Sequence, residues 1–450
     1  MKRALCGLCF LFSFTIAACS GGGGGGGSVP SAPNGPQATP TPSPTPTPGQ
    51  KIQHVVIVIQ ENRSFDTLFA TYPSADGTTQ AKLHNGQSFT LTKAPLIVTD
   101  INHMRSGYLT EYDGGKMDGF DEIGFGANGG QGPAGTYPLR YVDPAQIRQY
   151  WTIAKDYELA DHMFQTQGSG SFTGHQDLIA GGTAISPVDT IVDSPSQGPW
   201  GCDAAPSTVT SYIDQQGNYY FNEGPFPCFT YKTLADLLDA KGLSWKYYVP
   251  PLLQQGSSGY LWSAYDAIHQ IRYGKYWKDV VSPETNVFND IEAGTLPAVS
   301  WVVPCGYNSD HADTYDHGPS WVASIINAIG KTAAWKNTAI VVVWDDWGGW
   351  YDHVPPPLID QAGGLGFRVP MLVVSPYGVR AGYISHTQYE FGSILRFIED
   401  NWNLGRLGTT DVRATSMADM FNLTQTPRTF TAIPSPKYQT CPSGDPPDTE

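Results

Sequence analysis

The stretch that most constrains the fold runs from residue 339 to residue 353 and reads AIVVVWDDWGGWYDH. Its first six residues are mostly β-branched, which predicts a strand buried on both faces of a sheet. Asp345 and Asp346 follow at the carboxyl end of that strand, where open α/β sheets hold their ligands. Adjacent carboxylates repel unless a cation lies between them, so the pair indicates a divalent metal site rather than a solvated acidic turn. Gly348 and Gly349 allow the sharp turn that follows.

Strand-like and helical segments alternate along the rest of the chain. The predicted strands cover residues 54–60, 244–249, 298–303, 339–344 and 369–375. The predicted helices cover residues 145–159, 173–180, 231–240, 319–335 and 388–402. This alternation predicts an α/β fold with a mostly parallel central sheet, helices on both faces and loop-rich insertions.

A second polar motif follows the first predicted strand. Glu61 and Asn62 come directly after residues 54–60, and both side chains offer oxygen ligands to a cation. Two neighbours, Arg63 and Asp66, are interpreted as a structural ion pair within the loop. Because strand ends of a parallel sheet can converge on one edge, this motif and the aspartate pair could form one site.

A third motif, GSGSFTGH at residues 168–175, places hydroxyl groups before a predicted helix. Backbone N–H groups at a helix N-terminus suit an anion, and a metal or a base can activate a nearby hydroxyl as a nucleophile. Ser169, Ser171 and Thr173 are all candidates, and their spacing does not choose among them.

The N-terminal segment is interpreted as a targeting signal. Basic residues precede an apolar stretch at 4–16, and Ile16-Ala17-Ala18-Cys19 resembles a bacterial lipobox. We therefore predict a lipoprotein signal peptide at 1–18, an alternative being an ordinary secretory signal. A flexible Gly/Pro-rich tether would follow at 19–50, and one catalytic domain at 51–450. The protein would be exported and either held at the bacterial cell envelope membrane through a lipidated Cys19 or secreted.

The net charge limits the possible binding partners, and the cysteine content limits the possible disulfides. The net charge of −15 argues against nucleic acid as a partner, because phosphate backbones are bound by Lys and Arg. We expect the domain to act as a monomer. Four cysteines lie after residue 51, namely Cys202, Cys228, Cys305 and Cys441. They allow three disulfide pairings, of which we favour the first with the second and the third with the fourth.

Taken together, these motifs resemble those of a known family. HVVIVIQENRSFDTLF, SGSFTGHQDLIAGGT, Asp310-His311 and VVVWDDWGGWYDHVPPP look like the bacterial phosphoesterase family of non-haemolytic phospholipases C and acid phosphatases. The resemblance covers most of the chain after residue 51. It implies an alkaline-phosphatase-like fold and hydrolysis of a phosphate ester or phospholipid through a metal-bound Ser or Thr and a phospho-enzyme.

The same resemblance implies roles for individual residues. The metal ligands would be Glu61, Asn62, Ser171, Asp345 and Asp346, around one divalent ion that could be Ca, Mn, Mg or Zn. The catalytic residues would be Ser171 as nucleophile, with His103, Asp310, His311 and His353. Either of the last two histidines could protonate the leaving oxygen, and Asp352 is interpreted as orienting His353 rather than binding metal.

Departures from the family pattern leave some assignments open. Gly170 stands where relatives often have Pro, so Thr173 stays an alternative nucleophile. His386 is an undecided candidate, and six further histidines receive no role: His54, His84, His162, His175, His269 and His317. The rival interpretations are a sulfatase, which lacks support in the residues after Ser171, and a surface binding protein with a dead site, which does not explain why all the ligands are present. Phospholipase C and acid phosphatase are not separated by the motifs.

Overall fold

The structure is a computed structural model that describes residues 50–252, 258–359 and 364–441. The predicted signal peptide, Cys19 and all of the predicted tether except Gln50 lie outside these residues. Within the described ranges, no helix is both long enough and apolar enough to cross a membrane.

An eight-stranded sheet forms the centre of the fold. In chain order its strands are β1 (His54–Gln60), β2 (Glu158–Ala160), β3 (Trp245–Tyr248), β4 (Val280–Val281), β5 (Val299–Val302), β6 (Thr338–Trp344), β7 (Met371–Val374) and β8 (Tyr383–Ser385). Across the sheet they follow the order β4-β3-β5-β1-β6-β7-β2-β8. Only β7 runs antiparallel to its neighbours, β6 and β2. The predicted α/β fold with a mostly parallel sheet is confirmed.

The two strands that carry the acidic motifs are neighbours at the middle of this sheet. β1 and β6 pair in parallel over their full lengths, and Gln60 is opposite Trp344 at the end. Both strands are apolar and buried, as expected for strands covered on both faces. Glu61 and Asp345 therefore leave the sheet side by side at its carboxyl edge.

All five predicted helices are present, with shifted ends. The α-helices are α1 (Phe65–Phe69), α2 (Arg105–Tyr112), α3 (Arg148–Asp156), α4 (Ser171–Ala180), α5 (Leu234–Lys241), α6 (Gly259–Trp262), α7 (His269–Arg272), α8 (Asn286–Ala293), α9 (Gly318–Gly330), α10 (Phe391–Trp402) and α11 (Thr410–Arg413). Apolar residues of the longer helices join those of the central strands in one core cluster. The predicted helix at 319–335 is split, because α9 ends at Gly330 and a separate 3₁₀ turn covers Ala333–Asn337.

Short strands and two disulfides organise the insertions. The remaining strands are Gln80–Lys82, Ser88–Thr90, Thr92–Ala94, Arg140–Val142, Met163–Phe164, Asp189–Val192, Ser211–Asp214, Tyr219–Tyr220 and Tyr389–Glu390. Cys202 pairs with Cys228, and Cys305 pairs with Cys441, which is the favoured pairing. The second disulfide attaches the C-terminal segment to the loop after β5.

Candidate active site

The loops after β1 and β6 are hydrogen-bonded to each other. The amide of Asp345 donates to the carbonyl of Gln60 at 2.9 Å, and the amide of Asn62 donates to Asp345 Oδ1 at 3.0 Å. Asn62 has a φ of 57°, a left-handed conformation that is uncommon for a residue other than glycine. The two acidic motifs thus form one site, and the strained Asn62 backbone lies at its centre.

Glycines allow three chain segments to approach this site closely. Gly348 has a φ of 65°, and a Cβ there would lie 2.4 Å from the carbonyl oxygen of Asn62. Gly349 has a φ of 75°, which agrees with the sharp turn predicted from the sequence. A Cβ on Gly174 would lie 2.6 Å from the carbonyl oxygen of Asp345. Helix α4 therefore packs directly on the end of β6 because residue 174 has no side chain.

Only one of the three candidate hydroxyls contacts the predicted ligands. Ser171 is the first residue of α4, and its Oγ lies 3.0 Å from Asp346 Oδ2 and 3.2 Å from Asn62 Oδ1. Thr173 Oγ1 instead donates to the carbonyl of Gly170 at 3.0 Å. Ser169 Oγ accepts from the amide of Asp193 at 2.7 Å.

His175 is a site residue that sequence reasoning missed. Its Nε2 lies 3.1 Å and 3.3 Å from the two carboxylate oxygens of Glu61, and 3.7 Å from Asp345 Oδ2. His175 lies four residues after Ser171, so the two side chains share one face of α4. That spacing was a usable signal, but the predicted helix began at Thr173 and left Ser171 outside it.

The side chains at this edge fit a divalent cation. Glu61, His175 and Asp345 are buried and bring one ligand atom each to a common point. Asp345 Oδ2 is buried without a hydrogen bond among the described residues. Ligand atoms that share an ion at about 2.1 Å lie roughly 3.0 to 3.4 Å apart, close to the separations around His175 Nε2. The donor set therefore suits a metal ion, with His175 added to the predicted ligands.

Two of the predicted histidines border the same site. His103 Nδ1 lies 2.7 Å from the carbonyl of Ile101, and its Nε2 lies 3.2 Å from Asn62 Nδ2. The rings of His103 and His311 meet edge to face at 6.0 Å between centroids. His311 Nδ1 lies 2.7 Å from the carbonyl of Ala312, which favours a proton on Nδ1. Both imidazoles are buried and held by backbone carbonyls.

Asp310, another predicted catalytic residue, is hydrogen-bonded to two buried aromatic side chains. Its Oδ2 accepts hydrogen bonds from Tyr150 Oη at 2.8 Å and from Trp344 Nε1 at 3.0 Å. Burial raises the pKa of Asp310 to about 6, although the positive charge of Arg63 acts in the opposite direction. These contacts make Asp310 a buried anchor for the end of β6.

His353 lies in a separate group of charged residues. Its Nδ1 lies 2.6 Å from Asp66 Oδ2, and its Nε2 lies 3.3 Å from Asp76 Oδ1. Asp352 instead accepts from Arg368 Nε at 2.8 Å and from Arg368 Nη2 at 3.1 Å. The interpretation that Asp352 orients His353 is wrong, because Asp66 does so. The described contacts of His353 do not include Ser171 or the predicted ligands.

The expected ion pair between Arg63 and Asp66 is also absent from the described contacts. Arg63 donates to the carbonyl of Asn62 at 2.8 Å and to that of Leu96 at 2.9 Å. The carboxylate of Asp66 is occupied by His353 and by the amide of Thr78. Arg63 therefore supports the strained Asn62 backbone, and Asp66 positions His353.

Comparison with known proteins decides the family. The sequence pattern of the Phosphoesterase family matches residues 52–405. The chain belongs to the phosphoesterase family. This phosphoesterase is 25% identical to phospholipase C B of Mycobacterium tuberculosis (strain ATCC 25618 / H37Rv), over 86% of this chain and 79% of the relative. It is 26% identical to the non-hemolytic phospholipase C of Pseudomonas aeruginosa, over 78% of this chain and 54% of the relative.

The resemblance stated from the motifs is therefore confirmed, and the phosphoesterase is a hydrolase of phosphoester bonds. Among solved structures, a protein of the alkaline phosphatase superfamily from Vibrio parahaemolyticus is 12% identical, covers 82% of this chain and 72% of its own, and has a TM-score of 0.37. A score this low supports no conclusion about the phosphoesterase.

Proposed function

We propose that this phosphoesterase is a metal-dependent hydrolase of phospholipase C type that uses Ser171 as its nucleophile and passes through a phosphoserine. The observation that carries the proposal is the position of the Ser171 hydroxyl. It lies at the N-terminus of α4, within 3.0 Å of Asp346 Oδ2 and 3.2 Å of Asn62 Oδ1. This is the only candidate hydroxyl of the GSGSFTGH motif with contacts to predicted metal ligands among the described residues.

The metal would be held by side chains from three elements: Glu61 and Asn62 after β1, Asp345 and Asp346 after β6, and Ser171 and His175 on α4. A bound divalent ion lowers the pKa of a coordinated hydroxyl and neutralises charge on phosphoryl oxygens. The oxygen ligands suit Ca, Mg or Mn, and the imidazole nitrogen favours Mn or Zn.

The first step needs a deprotonated Ser171 and a place for the phosphoryl group. Asp346 Oδ2 is within hydrogen-bond distance of the Ser171 hydroxyl and can accept its proton. The N–H groups at the start of α4 point toward the same end of the helix and stabilise negative charge there. Ser171 Oγ attacks phosphorus, the bond from phosphorus to the leaving oxygen breaks, and the phosphoryl group is transferred to the serine.

The leaving oxygen then needs a proton, and we assign this role to His311. Its Nδ1 is held by the Ala312 carbonyl, so Nε2 is the nitrogen that gains and loses a proton. General acid catalysis of this kind contributes about 10²–10⁴ in rate. Water then attacks the phosphoserine, which restores the Ser171 hydroxyl and releases the phosphate product.

The names of the relatives support the proposed substrate class. Those compared above are named phospholipase C, and an enzyme of that type cleaves on the glycerol side of the phosphate. Diacylglycerol would therefore be the leaving group, and the phosphorylated head group would be carried on Ser171. The predicted lipid anchor at Cys19 would hold the domain close to bilayer substrates.

The substrate test compares phosphatidylcholine, the p-nitrophenyl ester of phosphocholine and p-nitrophenyl phosphate, each with and without chelator. Hydrolysis of the two diesters that is lost with chelator and restored by divalent metal is the expected result. Preference for the monoester would favour an acid phosphatase. Turnover of none of the three after metal titration would contradict the enzyme proposal.

The nucleophile test compares Ser171→Ala with Thr173→Val in the same assays. Ser171→Ala should abolish turnover and the covalent phosphate that acid quenching traps on the protein. Thr173→Val loses only a hydrogen bond to the Gly170 carbonyl and should keep both. The opposite result would move the nucleophile to Thr173.

A further inference from the structure

A second group of ionisable side chains lies outside the proposed catalytic site and centres on Asp76. His162 Nε2 lies 3.3 Å from Asp76 Oδ2, and His353 Nε2 lies 3.3 Å from Asp76 Oδ1. The three residues come from separate segments: the loop after α1, the residue pair after β2 and the loop after β6. One carboxylate thus faces two imidazole nitrogens that are distant in sequence.

The other ring nitrogen of each histidine is held by a buried aspartate. His162 Nδ1 lies 2.8 Å from Asp161 Oδ1, and His353 Nδ1 lies 2.6 Å from Asp66 Oδ2. These short contacts place a proton on each Nδ1, so both Nε2 atoms present a lone pair in the neutral rings. A lone pair that faces a carboxylate oxygen is repulsive unless a proton or a metal ion lies between them. Histidines that ligate metals show this arrangement, with a carboxylate behind the ring.

The excess of negative charge around Asp76 also favours a bound cation. Asp66, Asp161 and Asp352 are fully buried, and Asp76 is about half exposed. The buried cation among them is Arg368, whose guanidinium is bonded to Asp352 through two nitrogens. One positive charge therefore faces four carboxylates when the histidines are neutral. A divalent cation would remove most of this excess and would satisfy both Nε2 atoms.

We propose that His162 Nε2, His353 Nε2 and the carboxylate of Asp76 bind a divalent transition-metal ion of the zinc class. Two imidazoles and one carboxylate form a ligand set that suits zinc, and each Nε2 lies 3.3 Å from one oxygen of Asp76, a separation typical of atoms that share one ion. The side chains of both histidines are 25% exposed, so ions can enter from solvent. The ion links three loops around β2 and β6 and acts as a structural clamp. The site does not depend on the proposed catalytic chemistry.

Acidity should weaken this site, because metal and protons compete for the same nitrogens. Burial acts to lower the pKa of His353, but the hydrogen bond and charge of Asp66, supported by Asp352, outweigh it and raise that pKa above its ordinary value. Two further charged groups face the proposed ligands. Asp161 also accepts from His386 Nδ1 at 2.8 Å, and Arg368 Nη1 lies 3.8 Å from Asp76 Oδ2.

The test counts zinc ions bound by the full-length chain after chelator treatment, by calorimetric titration at pH 7.5. His162→Gln and the milder Asp76→Asn should each bind one equivalent fewer than wild type, or bind it at least about 10-fold more weakly. His84→Gln is the matched control, because His84 also lies beside two aspartates but outside this group. Glu61→Gln should still bind the zinc ion assigned to Asp76, His162 and His353, which distinguishes this site from the catalytic one.

Thermal unfolding provides a second readout that does not depend on activity. Zinc should raise the melting temperature of the wild type and of the His84→Gln protein, and the increase should be smaller in His162→Gln and Asp76→Asn. If wild type and both variants bind the same number of zinc ions with equal affinity, the histidines are charged by protons alone and the proposal is wrong. Circular dichroism of each variant without metal establishes that it is folded.

Discussion

His175 Nε2 lies 3.1 Å from Glu61 Oε1, and this contact links the middle of helix α4 to the residue that follows strand β1. Ser171 lies one helical turn earlier on the same face of α4. The helix therefore presents the proposed nucleophile and a candidate ligand as one rigid unit. A change at His175 should therefore reduce metal affinity more than it reduces the rate of the chemical step.

Replacement of His175 should weaken the catalytic metal. We expect His175→Gln to reduce affinity by about 10–100-fold, because Glu61 and Asp345 lose the group that lies among their oxygens. The measurement is activity against metal concentration, where excess metal should restore much of the turnover. The control is His269→Gln at an exposed position on α7. Equal metal dependence in both variants would show that His175 has no role in the site.

Asp346→Asn should impair proton transfer from Ser171 and leave the fold intact. The amide keeps an oxygen for the Gly348 N–H, which donates to Asp346 Oδ1 at 2.6 Å. It removes the carboxylate that faces the Ser171 hydroxyl, and loss of a general base costs about 10²–10⁴ in rate. We expect kcat to fall in this range in steady-state assays at saturating metal. The control is Asp143→Asn at a partly exposed position, and a kcat equal to that of the control would contradict the assignment.

Gly174→Ala should damage the site through packing. The new Cβ would lie 2.6 Å from the Asp345 carbonyl, so α4 must move away from β6. Overpacking of this kind costs about 1–3 kcal/mol of unfolding free energy, and the movement should also lower activity. Gly170→Ala is the matched control, since its Cβ meets atoms no closer than 3.5 Å. Equal unfolding midpoints in denaturant for the two variants would argue against the close approach.

Asp310 should make stability depend on pH. Burial raises its folded-state pKa to about 6 from the ordinary value of 3.8, so the folded protein holds this proton more tightly than the unfolded chain. The resulting stabilisation is complete below the unfolded pKa and is lost as pH rises toward 6. A shift of about two pKa units corresponds to at most about 3 kcal/mol.

Denaturant unfolding between pH 4 and pH 7 checks this expectation against Asp310→Asn. The wild-type free energy of unfolding should decline relative to the variant between pH 4 and 6 and run parallel above pH 6. A difference between the two proteins that stays constant across the whole range would mean that Asp310 titrates normally in the fold.

Much of the fold was predictable because the signals are local. The apolar runs at β1 and β6 are long and end abruptly in polar residues, so both strands were located to within one residue. Their carboxyl ends carry Glu61, Asn62, Asp345 and Asp346, and parallel strands place such ends on one edge. The antiparallel direction of β7 was not predictable, because the residue pattern of a buried apolar strand does not indicate its direction in the sheet.

The histidines were harder to assign because an imidazole is positioned by its neighbours in space. His353 follows Asp352 in sequence, yet Arg368 occupies that aspartate and Asp66 holds the ring. The spacing of His175 from Ser171 suggests a shared helix face, but its contact with Glu61 depends on Gly174, which lets α4 pack against the end of β6.

The sequence by itself determined the α/β class, the two acidic strand ends and the family. These properties depend on patterns within single segments, on spacing along the chain, or on motifs in a constant order. Only the tertiary structure decided that Ser171 rather than Thr173 contacts Asp346, that His175 approaches Glu61, and that His353 joins Asp76 and His162. The reason is physical: a side chain's chemistry depends on which charges and donors lie within a few ångströms, and here those groups come from separate segments of the chain.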